Sequence, residues 1–255
     1  MRYRIYEYLD VVQNGFPIAK ANILIDVTGL AKPTIFHTVR NALAMNGKVW
    51  VCRTRAEKYY PLDEDIEPVL SAESNSDSNA CLVELSKLLT GEKGPYTLDP
   101  LLEPDSDDSR RRVLCGFSSP KHERLLALLD ERAFDAIHIF TQVESTPRAK
   151  IARLAAEVAA KNFPQSSVET LESDDLSGAI LQMGRVYEAW YVEQGFNFEF
   201  GLTGSKLQAV ACAACSAALK VSQAWYVRPS EFDKHRFTSG VGETTYYEIG
   251  LRAPN

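Results

Sequence analysis

No run of the 255 residues is apolar for long enough to span a bilayer, and the opening MRYRIYEYLD lacks the apolar centre of a secretory signal. Cysteine is scarce. Five of them, odd in number and scattered, make no disulfide framework, and a reducing cytoplasm is the expected setting. Cys212 and Cys215 form a CxxC with no second pair, inside an Ala-rich run where small side chains serve packing; neither metal nor cofactor is expected. The eight-residue frame of a Walker A loop is missing. No Ser/His/Asp arrangement can be assigned either, so no catalytic residue is named.

Excess positive charge is also lacking overall, with a formal net charge of −6, but the charge is segregated. Residues 1–62 carry nine Lys/Arg against four Asp/Glu, residues 63–109 carry two against thirteen, and the remainder is balanced. A basic head, an acidic joint and a neutral body imply three parts: residues 1–66, 67–109 and 110–255. In the joint, SAESNSDSN (71–79) has nothing to bury and reads as a mobile linker. Residues 81–89 suit a short amphipathic helix, and 91–104, with its prolines and glycines, reads as an irregular strap.

In the head, Ile5, Tyr8, Leu9 and Val12 keep helical spacing, and a second short helical stretch is expected over 19–25. Pro33 suits the first turn of a third helix carrying Ile35, Val39 and Leu43 up to Gly47. Two β-like runs then flank the charged tip Arg53-Thr54-Arg55-Ala56-Glu57. This order, and the stretch GLAKPTIFHTVRNALAMNGKVWVCRTRAEKYYPL, resembles the winged helix-turn-helix domains of prokaryotic regulators. The resemblance implies binding to double-stranded DNA. Lys32, Thr34 and His37 would face the major groove, Thr38, Arg40 and Asn41 its flank, and Arg53, Arg55 and Lys58 the phosphates at the wing. Phe36 departs from the family, standing where a small polar contact is common. A winged helix used only for protein contacts is the alternative.

The body alternates strands and helices: 113–117, 121–132, 136–140, 147–163, 167–171, 176–193, 197–202, a helix after Ser205, and final strands at 224–227 and 244–249. Such alternation predicts an α/β fold with a mostly parallel, Rossmann-like sheet, whose ligands bind beyond the carboxyl ends of the strands. Gly116, Phe117, Ser118 and Ser119 end the first strand, Thr141 and Gln142 the second, and Thr203, Gly204, Ser205 and Lys206 the fourth. Alone, the last turn reads equally as a βα turn with a capping serine or as an anion site at a helix N-terminus. Convergence of three polar strand ends on one edge favours a ligand pocket.

Phe117-Ser118-Ser119 and Thr203-Gly204-Ser205-Lys206 resemble the two ligand-holding stretches of the CRISPR-associated Rossmann-fold (CARF) family, over roughly residues 112–229. The resemblance implies a homodimer that holds a cyclic oligoadenylate, with cyclic tetra-adenylate the expected form, across its two-fold axis. Fused to a winged helix, it implies a cytoplasmic, ligand-responsive transcription regulator of a CRISPR-Cas system, without membrane association. Two alternatives stay open. One is a ring nuclease using Lys206 with Ser118 or Ser119; the other is a regulator sensing another nucleotide.

Overall fold

The computed structural model describes residues 22–72, 78–88, 92–103, 105–143, 145–172, 174–232 and 237–250. The helix expected over residues 4–13 therefore lies outside the described residues.

The largest element is a six-stranded sheet in the order β4-β9-β8-β5-β6-β7. Its strands are β4 (Glu92–Pro100), β5 (Arg112–Phe117), β6 (Ala136–Gln142), β7 (Gln165–Leu171), β8 (Asn197–Gly201) and β9 (Gln223–Phe232). All neighbours run parallel except β4, which is antiparallel to β9. Helices α4 (Glu123–Glu131), α5 (Pro147–Ala160), α6 (Leu176–Tyr187) and α7 (Lys206–Ala218) connect the parallel strands in turn. The chain moves outward from β5 through β6 to β7, then returns to the other side of β5 as β8. The strand order thus reverses between β5 and β8. That topological switch point is where open α/β sheets leave a crevice at their carboxyl edge.

Buried runs explain the central strands. β5 and β6 are buried on both faces, as a parallel sheet covered by helices requires. Leu125, Leu128, Ala156 and Ala159 of α4 and α5 pack with Leu114, Ile137 and Ile139 on one face. Phe117, Phe140, Phe198 and Phe200 pack with α6 and α7 on the other. The Ala-rich sequence of α7 lets it approach closely on both sides, and both of its cysteines are buried. The Leu176–Glu193 helix ends in a π-helical turn over Glu188–Glu193.

The second face of α7 carries α1 (Lys32–Asn46). Ile35, Phe36, Val39, Ala42 and Leu43 share one continuous core with Leu207, Val210 and Ala214. Beside α1 runs a three-stranded sheet ordered β1-β2-β11, from β1 (Leu24–Asp26), β2 (Lys48–Thr54) and β11 (Thr244–Gly250). The joint contributes α2 (Asp63–Ala72) and α3 (Ser78–Leu88), whose Ile66, Leu82 and Leu85 pack on Ile151, Ala155 and Val158 of α5.

Four expectations need correction. The runs flanking the Arg53–Glu57 tip do not pair as a wing: β2 pairs with β1 and β11, and β3 (Lys58–Tyr59) pairs with β10 (Thr238–Ser239). A seven-residue antiparallel register with β11 satisfies far more backbone than a two-residue hairpin arm offers. The final strand 244–249 accordingly leaves the body's sheet and completes that of the head. Leu24–Asp26 is a strand, not the end of a helix. The strap at 91–104 is largely β4, an edge strand, where prolines are tolerated because one row of amides needs no partner.

Candidate functional site

The carboxyl ends of β5 and β8 lie side by side, in register from Arg112↔Asn197 to Gly116↔Gly201. Beyond that register the two loops are stitched together. Thr203 Oγ1 donates to Phe117 O at 2.5 Å, and Ser119 Oγ donates to Thr203 O at 3.2 Å. Gly204 allows the approach: a Cβ there would lie 2.6 Å from the Cβ of Phe117 and 2.0 Å from Gln208 Oε1. Ser205 then caps α7 with a complete capping box, its Oγ accepting from Gln208 N at 3.2 Å and its N–H donating to Gln208 Oε1 at 2.6 Å. Ser118 is buried, and its hydroxyl has no hydrogen-bond partner among the described residues.

Gly116, Phe117, Ser118, Ser119, Thr203, Gly204, Ser205 and Lys206 are therefore brought to one place at the switch point. Thr141 and Gln142 end the neighbouring β6, but Thr141 Oγ1 donates sideways to Glu169 O of β7 at 3.4 Å. Gln142 is half-buried.

Above this edge, the head and the body exchange lysines. Lys206, in the first turn of α7, donates to the carbonyl of Thr28. Lys32, in the first turn of α1, donates to Leu202 O at 3.0 Å. Both amines fall below their ordinary pKa. For Lys32, burial and then Arg124 lower it strongly; for Lys206, burial and then Arg53 lower it while Asp26 opposes. Lys32 thus meets the strand ends, because a desolvated ammonium needs a carbonyl acceptor and Leu202 supplies one.

The remaining cations assigned to DNA are similarly engaged. Arg53 meets Asp174 at 2.8 Å, and Arg55 pairs with the other oxygen of the same carboxylate. The Arg40 guanidinium donates to Ser216 O at 3.4 Å. Phe36 is wholly buried, so it packs inward. Of the helix face named for DNA, Thr34, His37 and Thr38 are half-buried and Asn41 is exposed, as is Lys58 on β3.

A second charged group adjoins the first, and the sequence reading missed it. Glu92 at the start of β4 has a side chain only 4% exposed and takes both arms of Arg124, at 2.9 and 2.7 Å, plus the Lys121 amine at 3.3 Å. Burial works against the charge of Glu92, but Arg124 and Lys121 prevail and hold its carboxyl below the usual range. Burial pushes Lys121 down to about 8. His122, beside them, is buried, with Nε2 3.0 Å from Ser86 Oγ. The clue was Lys121-His122-Glu123-Arg124 following a strand end, which reads as an ordinary solvated helix start.

No protein-family model, curated protein or solved structure matches the chain. Among the described residues, no helix is long and apolar enough to cross a membrane, and no group of three His, Cys, Asp or Glu is placed to hold a metal. The arrangement therefore speaks for itself. Two loops at a switch point, a capped helix start and several desolvated cations form an edge suited to binding an anion.

Proposed function

We propose that the chain is a ligand-responsive transcription regulator of a CRISPR-Cas system, with a CARF-like body that senses a cyclic oligoadenylate. In this reading the ring lies over the ends of β5 and β8, across the axis of a homodimer. Its phosphates meet Lys206 and the start of α7, and its riboses meet Ser118 and Ser119. The head acts as a modified winged helix, reading DNA with the open face of α1 at Thr34, His37, Thr38 and Asn41. Lys58 adds a phosphate contact.

One observation carries the proposal. Lys206, the cation at the switch point, is held by the head's own Thr28 carbonyl. A phosphate oxygen is a better partner for an ammonium than a neutral carbonyl, so a ligand would break a contact between sensor and head. A ligand that binds two arrangements unequally shifts the balance between them, and with it the affinity for DNA.

The test combines binding, cleavage and DNA. The purified protein is titrated with cyclic tri-, tetra- and hexa-adenylate, and the ligand is recovered and chromatographed. One ring should bind and return intact, and it should change the affinity for DNA selected from a random pool. Lys206→Ala should weaken ring binding by about 1.5–3 kcal/mol, the value of a hydrogen bond to a charged group. It should leave ligand-free DNA affinity nearly unchanged. Linear products would favour a ring nuclease, and failure of all three rings to bind would overturn the reading.

A further inference from the structure

A groove of about 550 Å³ lies between α6 and the small sheet, lined by Leu176, Ser177 and Ile180 and by residues 246–250 of β11. Successive side chains of a strand point to opposite faces, so five consecutive residues cannot line a hollow on one face. The groove therefore runs along the outer edge of β11. The hydrogen bonds of the sheet leave that edge open. Trp50 N donates to Ile23 O and Val27 N to Cys52 O, which turns the even residues of β2 toward β1 and the odd ones toward β11. Arg55 N, donating to Glu243 O, continues the pattern. By register, the β11 residues so engaged are Thr245, Tyr247 and Ile249. Tyr246 and Glu248 thus aim their backbone N–H and C=O outward. β11 is the last strand of its sheet, and those groups have no backbone partner among the described residues.

We propose that this groove binds an extended peptide of another protein, which joins β11 as a fourth strand of the small sheet. A row of unpaired amides and carbonyls is a template for such pairing, and alternate side chains of the added strand supply specificity. At about 3.4 Å per residue the five lining residues offer roughly 17 Å of edge, enough for a peptide of about five residues. A helix, about 10–12 Å across, would leave the edge unpaired. The α6 wall selects apolar side chains, because Leu176 and Ile180 face the groove. Charge fixes one end. Leu176 also borders a narrower hollow that holds Glu172 and Asp175, and among the described residues neither carboxylate is in an ion pair. Glu248, by contrast, is neutralised by Lys48 at 2.7 Å. A basic residue at the Leu176 end of the peptide therefore complements the site.

The probe is a fluorescein-labelled peptide, Lys-Val-Thr-Val-Thr-Val, titrated with the full chain and read by anisotropy. Saturable binding is expected, and a peptide with Glu in place of its Lys should bind more weakly. Glu248→Pro removes an outward amide at an edge position, where proline is tolerated, and should weaken binding at least about tenfold. Glu248→Ala loses the pair with Lys48 but keeps the amide, and should stay within about twofold of the wild type. Ser177→Trp fills the groove from an exposed position of α6 and should abolish binding, which keeps the test decisive should the Pro variant fold poorly. No saturable binding by the wild type, or wild-type affinity in both Glu248→Pro and Ser177→Trp, would overturn the proposal. Self-association that Glu248→Pro abolishes, with no peptide bound, would also overturn it and assign the edge to a second copy of this chain. Neither Glu248 nor Ser177 is among the residues assigned to the ring or to DNA, so ring binding kept in Glu248→Pro separates this result from the regulator reading.

Discussion

Replacing Phe36 with alanine asks whether the head is a separate module or part of one cooperative unit. Phe36 is wholly buried, in the same apolar core as the phenylalanines of β8 and the inner face of α7. Truncating such a ring costs about 3–5 kcal/mol, from lost transfer energy and the cavity left behind. Set against a typical total of about 5–15 kcal/mol, that is at least about a fifth of the stability. With a urea slope of roughly 2 kcal/mol per molar, the unfolding midpoint should fall by about 2 M. The assay follows tryptophan fluorescence and far-UV circular dichroism together, since Trp50 reports on β2 and Trp225 on β9. One transition, coincident by both probes and shifted as a whole, is expected. Replacing Trp50 or Trp225 with Phe in turn assigns the signal. Should Trp50 lose its environment at low urea while Trp225 keeps the wild-type midpoint, the shared core is refuted and α1 belongs to an independent domain.

Gly204→Ala should destabilise by about 1–3 kcal/mol, because its Cβ would overlap the Cβ of Phe117 and disturb the capping box. Gly29→Ala, where the new Cβ meets nothing within 4 Å, is the control, and equal thermal midpoints for the two variants would refute the close approach. A pH effect follows from His138 and His37, both held below their ordinary pKa, first by burial. As pH falls below about 6.5 the unfolded chain takes up protons before the folded chain does, so stability should decline from there toward the lower folded values. Urea midpoints at pH 7.5, 6.5 and 5.5 should fall in that order, less steeply in His138→Gln; a midpoint that holds or rises would contradict the assignment.

Local patterns made the body readable. The apolar run Ala136–Phe140, the prolines opening α1 and α5, and Ser205 three residues before Gln208 each encode their element within a few residues. Convergence of the strand ends followed from the βα alternation alone. The rest depended on partners remote in sequence. β11 is a plausible strand anywhere, and only its register with β2, almost two hundred residues earlier, sends it to the head. Glu92 opens a segment whose glycine and prolines read as irregular, yet an edge position allows it to be a strand and to carry the carboxylate that Arg124 needs. Lys32 illustrates the limit most plainly. A lysine beside the first-turn proline of a helix in a basic segment reads as a phosphate contact, and nothing nearby announces the Leu202 carbonyl 170 positions away.

If the proposed function holds, the fate of the head's basic charge restricts how a ligand signal would reach DNA. Lys32, Arg40, Arg53, Arg55 and Lys206 bind the head to the body through carbonyls and Asp174, and Lys48 pairs with Glu248 within the small sheet. The partly exposed ion pairs of Arg53 and Arg55 with Asp174 are each worth about 0.2–1 kcal/mol, so they can be exchanged at little cost. Lifting α1 from α7 is a different matter. Five buried apolar residues, at about 1.5–3 kcal/mol for each large side chain, exceed the roughly 5.5 kcal/mol needed to reverse a 1:99 balance. Under the proposed function, ligand binding would therefore not act by freeing the helix. It would leave α1 seated on α7 and move the two as one body, with the polar contacts at Thr28, Leu202 and Asp174 as the parts that give way.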